Sequence, residues 1–313
     1  MSNFPGPETD GRWILSMRGE KVPVDPLLPY GWFNEQERSL DGDIERVSAI
    51  LLTNRECPFT CLMCDLWKHT TGRPVPVGAV PSQIEYALGK LRPATILKLY
   101  NSGSFFDPGA IPFEDHKRIA SLSSGFEQVL VESHTAFVGE ECLEFSRMLK
   151  GRLQLAIGLE TVHPEVLPRL NKGMTLEAFR KSVGLLKSNG ISTRAFILLR
   201  PPFLSEEEGV EWACRSIDFA FDSGVDICSV IPVRSGNGAL DHLAADGYFE
   251  EPSIRSLEQV LDYGIGLNRG LVFADLWDLE RFSSCNLCYG SRKARLDRVN
   301  LTQEAVEPVS CNC

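Results

Sequence analysis

Residues 47–67 read VSAILLTNRECPFTCLMCDLW, an apolar run that breaks at Thr53-Asn54 and gives way to three cysteines. A continuous hydrophobic segment of this kind suits a strand covered on at least one face of a parallel sheet. Cys57, Cys61 and Cys64 follow it with three and then two residues between them. Three thiols so spaced can wrap one centre from a single tight loop, and Pro58 keeps that loop out of a helix. Iron–sulfur clusters usually take four cysteine thiolates, yet no fourth cysteine lies nearby in sequence. A [4Fe-4S] cluster with only three protein ligands leaves one iron open to bind a substrate or cofactor directly.

Outward from this stretch, strand-like and helix-like segments alternate. VSAILLT, TILKLYN, EQVLVES, LQLAIGLE, ISTRAFILLR and VDICSVIP read as six strands, with LVFADL as a short last one. Between them VPSQIEYALGKL, EDHKRIASL, GEECLEFSRMLK, HPEVLPRL, TLEAFRKSVGLLKSNG, SEEEGVEWACRSIDFAFDSG and EPSIRSLEQVLDYGIGL read as helices. That order implies βαβ units on a parallel sheet. An incomplete (β/α)6 barrel and a doubly wound open sheet share this periodicity, and both put chemistry at the C-terminal ends of the strands. The expected organisation is an α/β chain with an N-terminal extension (1–44), a partial barrel (45–275) and a small cysteine-rich C-terminal module (276–313).

The chain has 313 residues, 43% hydrophobic and 24% charged, with a mean hydropathy of -0.09. These values exclude a disordered chain, and no apolar run is long enough to span a membrane. The start, MSNFPGPETDGRW, lacks the basic-then-apolar pattern of a signal peptide, so a cytoplasmic location is expected. A net charge of -10 excludes a basic footprint over the whole surface. Arg281, Arg292, Lys293, Arg295 and Arg298 crowd the C-terminal segment, and are expected to form a solvated basic face. Of ten cysteines, Cys142, Cys214 and Cys228 stand alone in apolar stretches and read as core packing.

The Cys-x3-Cys-x2-Cys loop behind a strand resembles the signature of the radical S-adenosylmethionine (SAM) superfamily. The resemblance implies a partial barrel, a [4Fe-4S] cluster on Cys57, Cys61 and Cys64, and SAM chelated to the open iron. One electron then cleaves SAM to a 5′-deoxyadenosyl radical that abstracts hydrogen from a substrate. Met63 stands where the family commonly has an aromatic residue and would pack its thioether against the adenine. Asn101, Ser102 and Gly103, at the end of the second predicted strand, match the family's site for the SAM amino group, although the usual Gly-Gly-Glu is absent. Glu160, ending the fourth, matches the family's ribose-binding carboxylate. Glu132 and His134 are candidate catalytic groups at the end of the third, Arg200 a candidate partner of the SAM carboxylate or of the substrate, and Pro232 opens a turn that can lie against the adenine. GLETVHPEVLPRLNKGMT resembles the Elongator catalytic-subunit-like branch. LLRPPFLSEEEGVEWA and VIPVRSGNGALDHLAADGYFEEPSIRSLEQVL are similar to the archaeosine synthase radical SAM subunit. The branch implies a modified nucleoside or tRNA as substrate, and the superfamily an electron donor of the flavodoxin or ferredoxin type.

A second group, Cys285-x2-Cys288 and Cys311-x-Cys313, has 22 residues between its pairs. Four thiols in this pattern suit a tetrahedral zinc or an auxiliary [4Fe-4S] cluster. The expected function is radical SAM catalysis on a nucleoside or tRNA. The alternatives are the same chemistry on a small metabolite or peptide, or a zinc-binding interaction module without catalysis.

Overall fold

The computed structural model describes residues 6–311, so Cys313 lies outside the described residues. Eight strands form one sheet: β1 Gly31–Arg38, β2 Ile44–Leu52, β3 Ile96–Asn101, β4 Gln128–Glu132, β5 Arg152–Glu160, β6 Ser192–Leu199, β7 Ile227–Pro232 and β8 Leu271–Ala274. The helices are α1 Gly11–Met17, α2 Ala79–Leu88, α3 His116–Leu122, α4 Glu140–Met148, α5 Val166–Arg169, α6 Leu176–Ser188, α7 Glu206–Asp222, α8 Ala239–Ala245, α9 Ile254–Gly266 and α10 Asn286–Thr302. Strand order in space follows strand order in the chain, with β1 antiparallel to β2 and every later pair parallel. A doubly wound sheet reverses its order at a switch point. This one does not, which gives a curled half-barrel rather than an open sheet.

Alternation along the strands sorts two interiors. Ile50, Leu52, Leu97, Leu99, Val129 and Val131 face the helices and pack with Val80, Ile84, Ile119 and Phe145. The opposite face lines the barrel, and its floor is ionic. Lys98 on β3 reaches Glu37 (2.6 Å) and Glu35 (2.7 Å) on β1, while Arg194 on β6 pairs with Glu37 at 2.5 Å and donates Nε–H to Gln154 Oε1 at 3.2 Å. Burial alone would raise the Glu37 carboxyl, but Arg194 and Lys98 overcome it and hold it down at about 2.

Three features of the fold depart from the sequence expectations. β1 and α1 fold within the segment expected only as an N-terminal extension, because the inward positions of β1 carry Glu35 and Glu37 and so hide the apolar period. α10 was not anticipated either. Its Arg292 and Arg295 are not a solvated face: both are buried, paired with Glu258 and Asp262 on α9. The end of α10 covers the free edge of β8. Asn300 exchanges hydrogen bonds with the backbone of Ala274 (2.9 Å each way), and Gln303 does so with Val272 (2.8 and 2.9 Å). Two side-chain amides thus stand in for a neighbouring strand and protect the edge. Cys142 and Cys228 are fully buried, and Cys214 is partly so.

Candidate functional site

The cysteine loop leaves the C-terminal end of β2 and is pinned at its base and its crown. At the base, Thr71 N–H donates to Asn54 O (2.9 Å), and Asn54 and Ser102 exchange side-chain and backbone bonds at 2.9 and 3.0 Å. At the crown, Asn237 Nδ2 donates to Leu62 O (2.8 Å) and Cys64 O (3.3 Å), and Asn171 Nδ2 donates to Thr60 O (2.9 Å). Three asparagines therefore satisfy the backbone of a loop that has no regular partner, and they hold three thiols at the barrel mouth.

Burial pushes the Cys57 and Cys61 thiols up to about 11 and Cys64 to about 12, with mutual repulsion adding to the effect. Such thiols surrender their protons to a metal rather than to water. Gly103 has φ +106°, and a β-carbon there would lie 2.9 Å from both Cβ and Sγ of Cys57. Ser102 Oγ is buried beside it without a hydrogen-bond partner. A soft-donor triad, a close backbone approach and an unpartnered hydroxyl fit a thiolate-bound cluster with an organic ligand next to it.

Across the mouth, Glu160 ends β5 in a left-handed conformation (φ +66°) and pairs with Lys172 Nζ at 2.5 Å. Lys172 is buried and lies close enough to Cys57 and Cys61 to offset their negative charge. Sequence reasoning missed it, because an Asn-Lys-Gly segment signals only a turn. Glu132 faces the same space. Burial raises its carboxyl to about 8, with Glu160 adding to the shift and Lys172 opposing it. Tyr30, also missed, stacks on His69 at 4.7 Å and feels the charges of Glu132, Asp65 and Cys64.

The structure brings Cys57, Cys61, Cys64, Ser102, Gly103, Glu132, His134 and Glu160 together at this mouth, while Met63 packs against the cluster of Ile14, Leu62, Leu170 and Leu240. Four expected roles change on inspection. His134 stacks on Phe59 of the cysteine loop (3.9 Å between rings), accepts Ala136 N–H at Nδ1 (3.1 Å) and donates from Nε2 to Lys172 O (3.0 Å). Both nitrogens are occupied, and burial with Lys172 lowers its pKa to about 4, so it braces the loop as a neutral ring. Arg200 is already bound to Glu206 (2.6 Å), Glu250 (2.5 Å) and Glu251 O (2.8 Å), which takes its guanidinium from the SAM carboxylate. Pro232 shares the helix-facing side of Cys228 and Val230, leaving Ile231 as the inward residue. Asn101 likewise shares the side of Leu97 and Leu99, so the mouth receives the backbone that follows it rather than its amide. The second group gathers Cys285, Cys288 and Cys311, whose sulfurs all lie within 4.8 Å of one another.

No protein-family model matches the chain. An uncharacterized protein of Methanocaldococcus jannaschii is 24% identical over 92% of this chain and 86% of its own length. Archaeosine synthase subunit beta of Methanosarcina acetivorans is 29% identical over 64% of this chain, and the match spans 60% of that subunit. Among solved structures, methylornithine synthase superposes with a TM-score of 0.54 at 14% identity, over 80% of this chain and 68% of that one. None of the described helices is long and apolar enough to cross a membrane. With its cysteine triad at the mouth of a parallel half-barrel, the chain is similar in sequence to archaeosine synthase subunit beta and shares the fold of methylornithine synthase.

Proposed function

We propose that the chain is a radical SAM enzyme acting on a modified nucleoside, free or within tRNA. The observation that carries this reading is the three-cysteine loop, braced by Asn54, Asn171 and Asn237 and closed against Gly103. Cys57, Cys61 and Cys64 would hold a [4Fe-4S] cluster through three of its irons. When bound, the cluster and SAM together supply one-electron cleavage chemistry and hydrogen-atom abstraction, which belong to the cofactors.

The chain's own residues bind, orient and exclude. The backbone around Ser102 and Gly103 offers carbonyls to the SAM amino group, and Ser102 Oγ an unpartnered hydroxyl. Glu160 accepts from the ribose hydroxyls while Lys172 holds its carboxylate in place. Glu132, whose carboxyl burial raises to about 8, offers hydrogen-bonding oxygens to a ligand in the mouth. The nucleoside assignment is supported by the similarity to archaeosine synthase subunit beta, and the required electron would come from a flavodoxin- or ferredoxin-type donor.

Anaerobic incubation with SAM and dithionite, assayed for 5′-deoxyadenosine, tests the reading. Formation of the product, accelerated by a modified nucleoside or by tRNA, supports it. A Cys61→Ala variant that still cleaves SAM would overturn the cluster assignment. Acceleration by peptides or small metabolites alone would overturn the nucleoside assignment.

A further inference from the structure

The C-terminal cysteines sit where the closing helix begins. Cys285 caps α10, Cys288 lies in its first turn, and Cys311 returns at the end of the tail. Arg292 and Arg295 hold that tail against α10. Arg292 Nη2 donates to Val309 O (3.1 Å), and Arg295 Nε donates to Val306 O (3.1 Å) and Glu307 O (3.0 Å). Cys285 and Cys311 sulfurs are 4.0 Å apart, and the trio spans no more than 4.8 Å.

Spacing separates the two metal chemistries. Thiolates about 2.3 Å from one tetrahedral zinc are about 3.8 Å from each other. Thiolates on separate corners of a four-iron cube are about 6 Å apart, since each binds its own iron. The observed spacing matches a single ion. Arg292 Nε also donates to Cys288 Sγ at 3.3 Å, the kind of outer hydrogen bond that orients a ligand and offsets thiolate charge. The α10 N-terminus adds favourable dipole at the same place.

We propose that Cys285, Cys288 and Cys311 bind one zinc ion, which clasps the chain's tail onto the helix that closes the half-barrel. On binding, the three thiols release their protons to solvent and no electron is transferred. The same α10 seals the edge of β8 through Asn300 and Gln303 and is tied to α9 through Glu258 and Asp262. The ion therefore locks an element that seals the edge of the sheet, without taking part in redox chemistry.

The experiment uses the full chain carrying Cys57→Ala, Cys61→Ala and Cys64→Ala, so that the outcome is independent of the mouth cluster. Metal and acid-labile sulfide analysis after anaerobic purification should find about one zinc per chain and no sulfide-bound iron. Adding Cys285→Ser should lower bound zinc at least about tenfold. Stripping zinc from the folded triple variant with a chelator, followed by a zinc-sensitive dye, should release the same single equivalent. It should also speed proteolysis of residues 303–311 about tenfold or more, reversed by added zinc. Iron with sulfide in the triple variant, a Cys285–Cys311 disulfide in place of metal, or zinc retained after Cys285→Ser would overturn the proposal.

Discussion

Replacing Gly103 by alanine tests how closely the backbone after β3 approaches the cysteine loop. Its φ of +106° is a region where a β-carbon costs about 1–2 kcal/mol. The added methyl would lie 2.9 Å from Cβ and Sγ of Cys57, against an ordinary carbon contact of about 3.5–4.0 Å. Cys57 must then retreat by roughly 0.5–1 Å, and crowding of this kind costs about 1–3 kcal/mol. The sum is about 2–5 kcal/mol. At about 2 cal/mol/K of unfolding entropy per residue, a chain of this length loses about 1.5 °C per kcal/mol, so Tm should fall about 3–8 °C. Gly190→Ala is the control: its φ is +71°, but nothing lies within 4 Å of an added β-carbon. It should show only the conformational cost, about 2–3 °C. Iron and sulfide per chain after anaerobic reconstitution give the second readout. Gly103→Ala should lose most of its iron, and Gly190→Ala should keep it. Equal iron and equal Tm in the two variants would refute the close approach.

Three further outcomes follow from the same geometry. Asn237→Ala strips the Leu62 and Cys64 carbonyls of their donor and should cost about 1–3 kcal/mol with weaker iron loading, read by thermal unfolding and iron content. Lys172→Met leaves Glu160 buried and unpaired, so it should destabilise by about 3–5 kcal/mol; adding Glu160→Gln should recover more than half in a double-mutant cycle. Glu37 is held at about 2 against an ordinary 4.5. Because its pKa is depressed on folding, its contribution is complete above pH 4.5 and is lost as pH falls through 2. That contribution is about 3 kcal/mol, and Glu37→Gln should flatten this acid limb in denaturant titrations at stepped pH.

The half-barrel was legible because its helix-facing positions, such as Leu97, Leu99, Val129 and Val131, keep an apolar period that one chain displays by itself. β1 was not, since its inward positions serve a buried ion network with Lys98 and Arg194 whose logic is visible only once distant strands meet. α10 hid for a related reason. Arg292 and Arg295 look like surface charge until Glu258 and Asp262 are seen against them. At the mouth, the cysteine spacing was readable because it is local. The asparagine braces and Lys172 were not, because their partners lie up to 175 residues away in sequence. His134 and Arg200 were correctly located near strand ends, but their commitments to Lys172 O, Glu206 and Glu250 depend on loops whose paths periodicity does not encode.

The central claim is that three thiolates hold a cluster whose remaining iron takes SAM. Electron–nuclear double resonance on the reduced, anaerobically reconstituted protein, with SAM labelled at its amino nitrogen and carboxylate oxygen, measures this directly. The account predicts hyperfine coupling from both labels in the wild-type chain and neither in Cys61→Ala. A reduced cluster that shows no coupling to labelled SAM, or a wild-type chain that binds no iron, would contradict it.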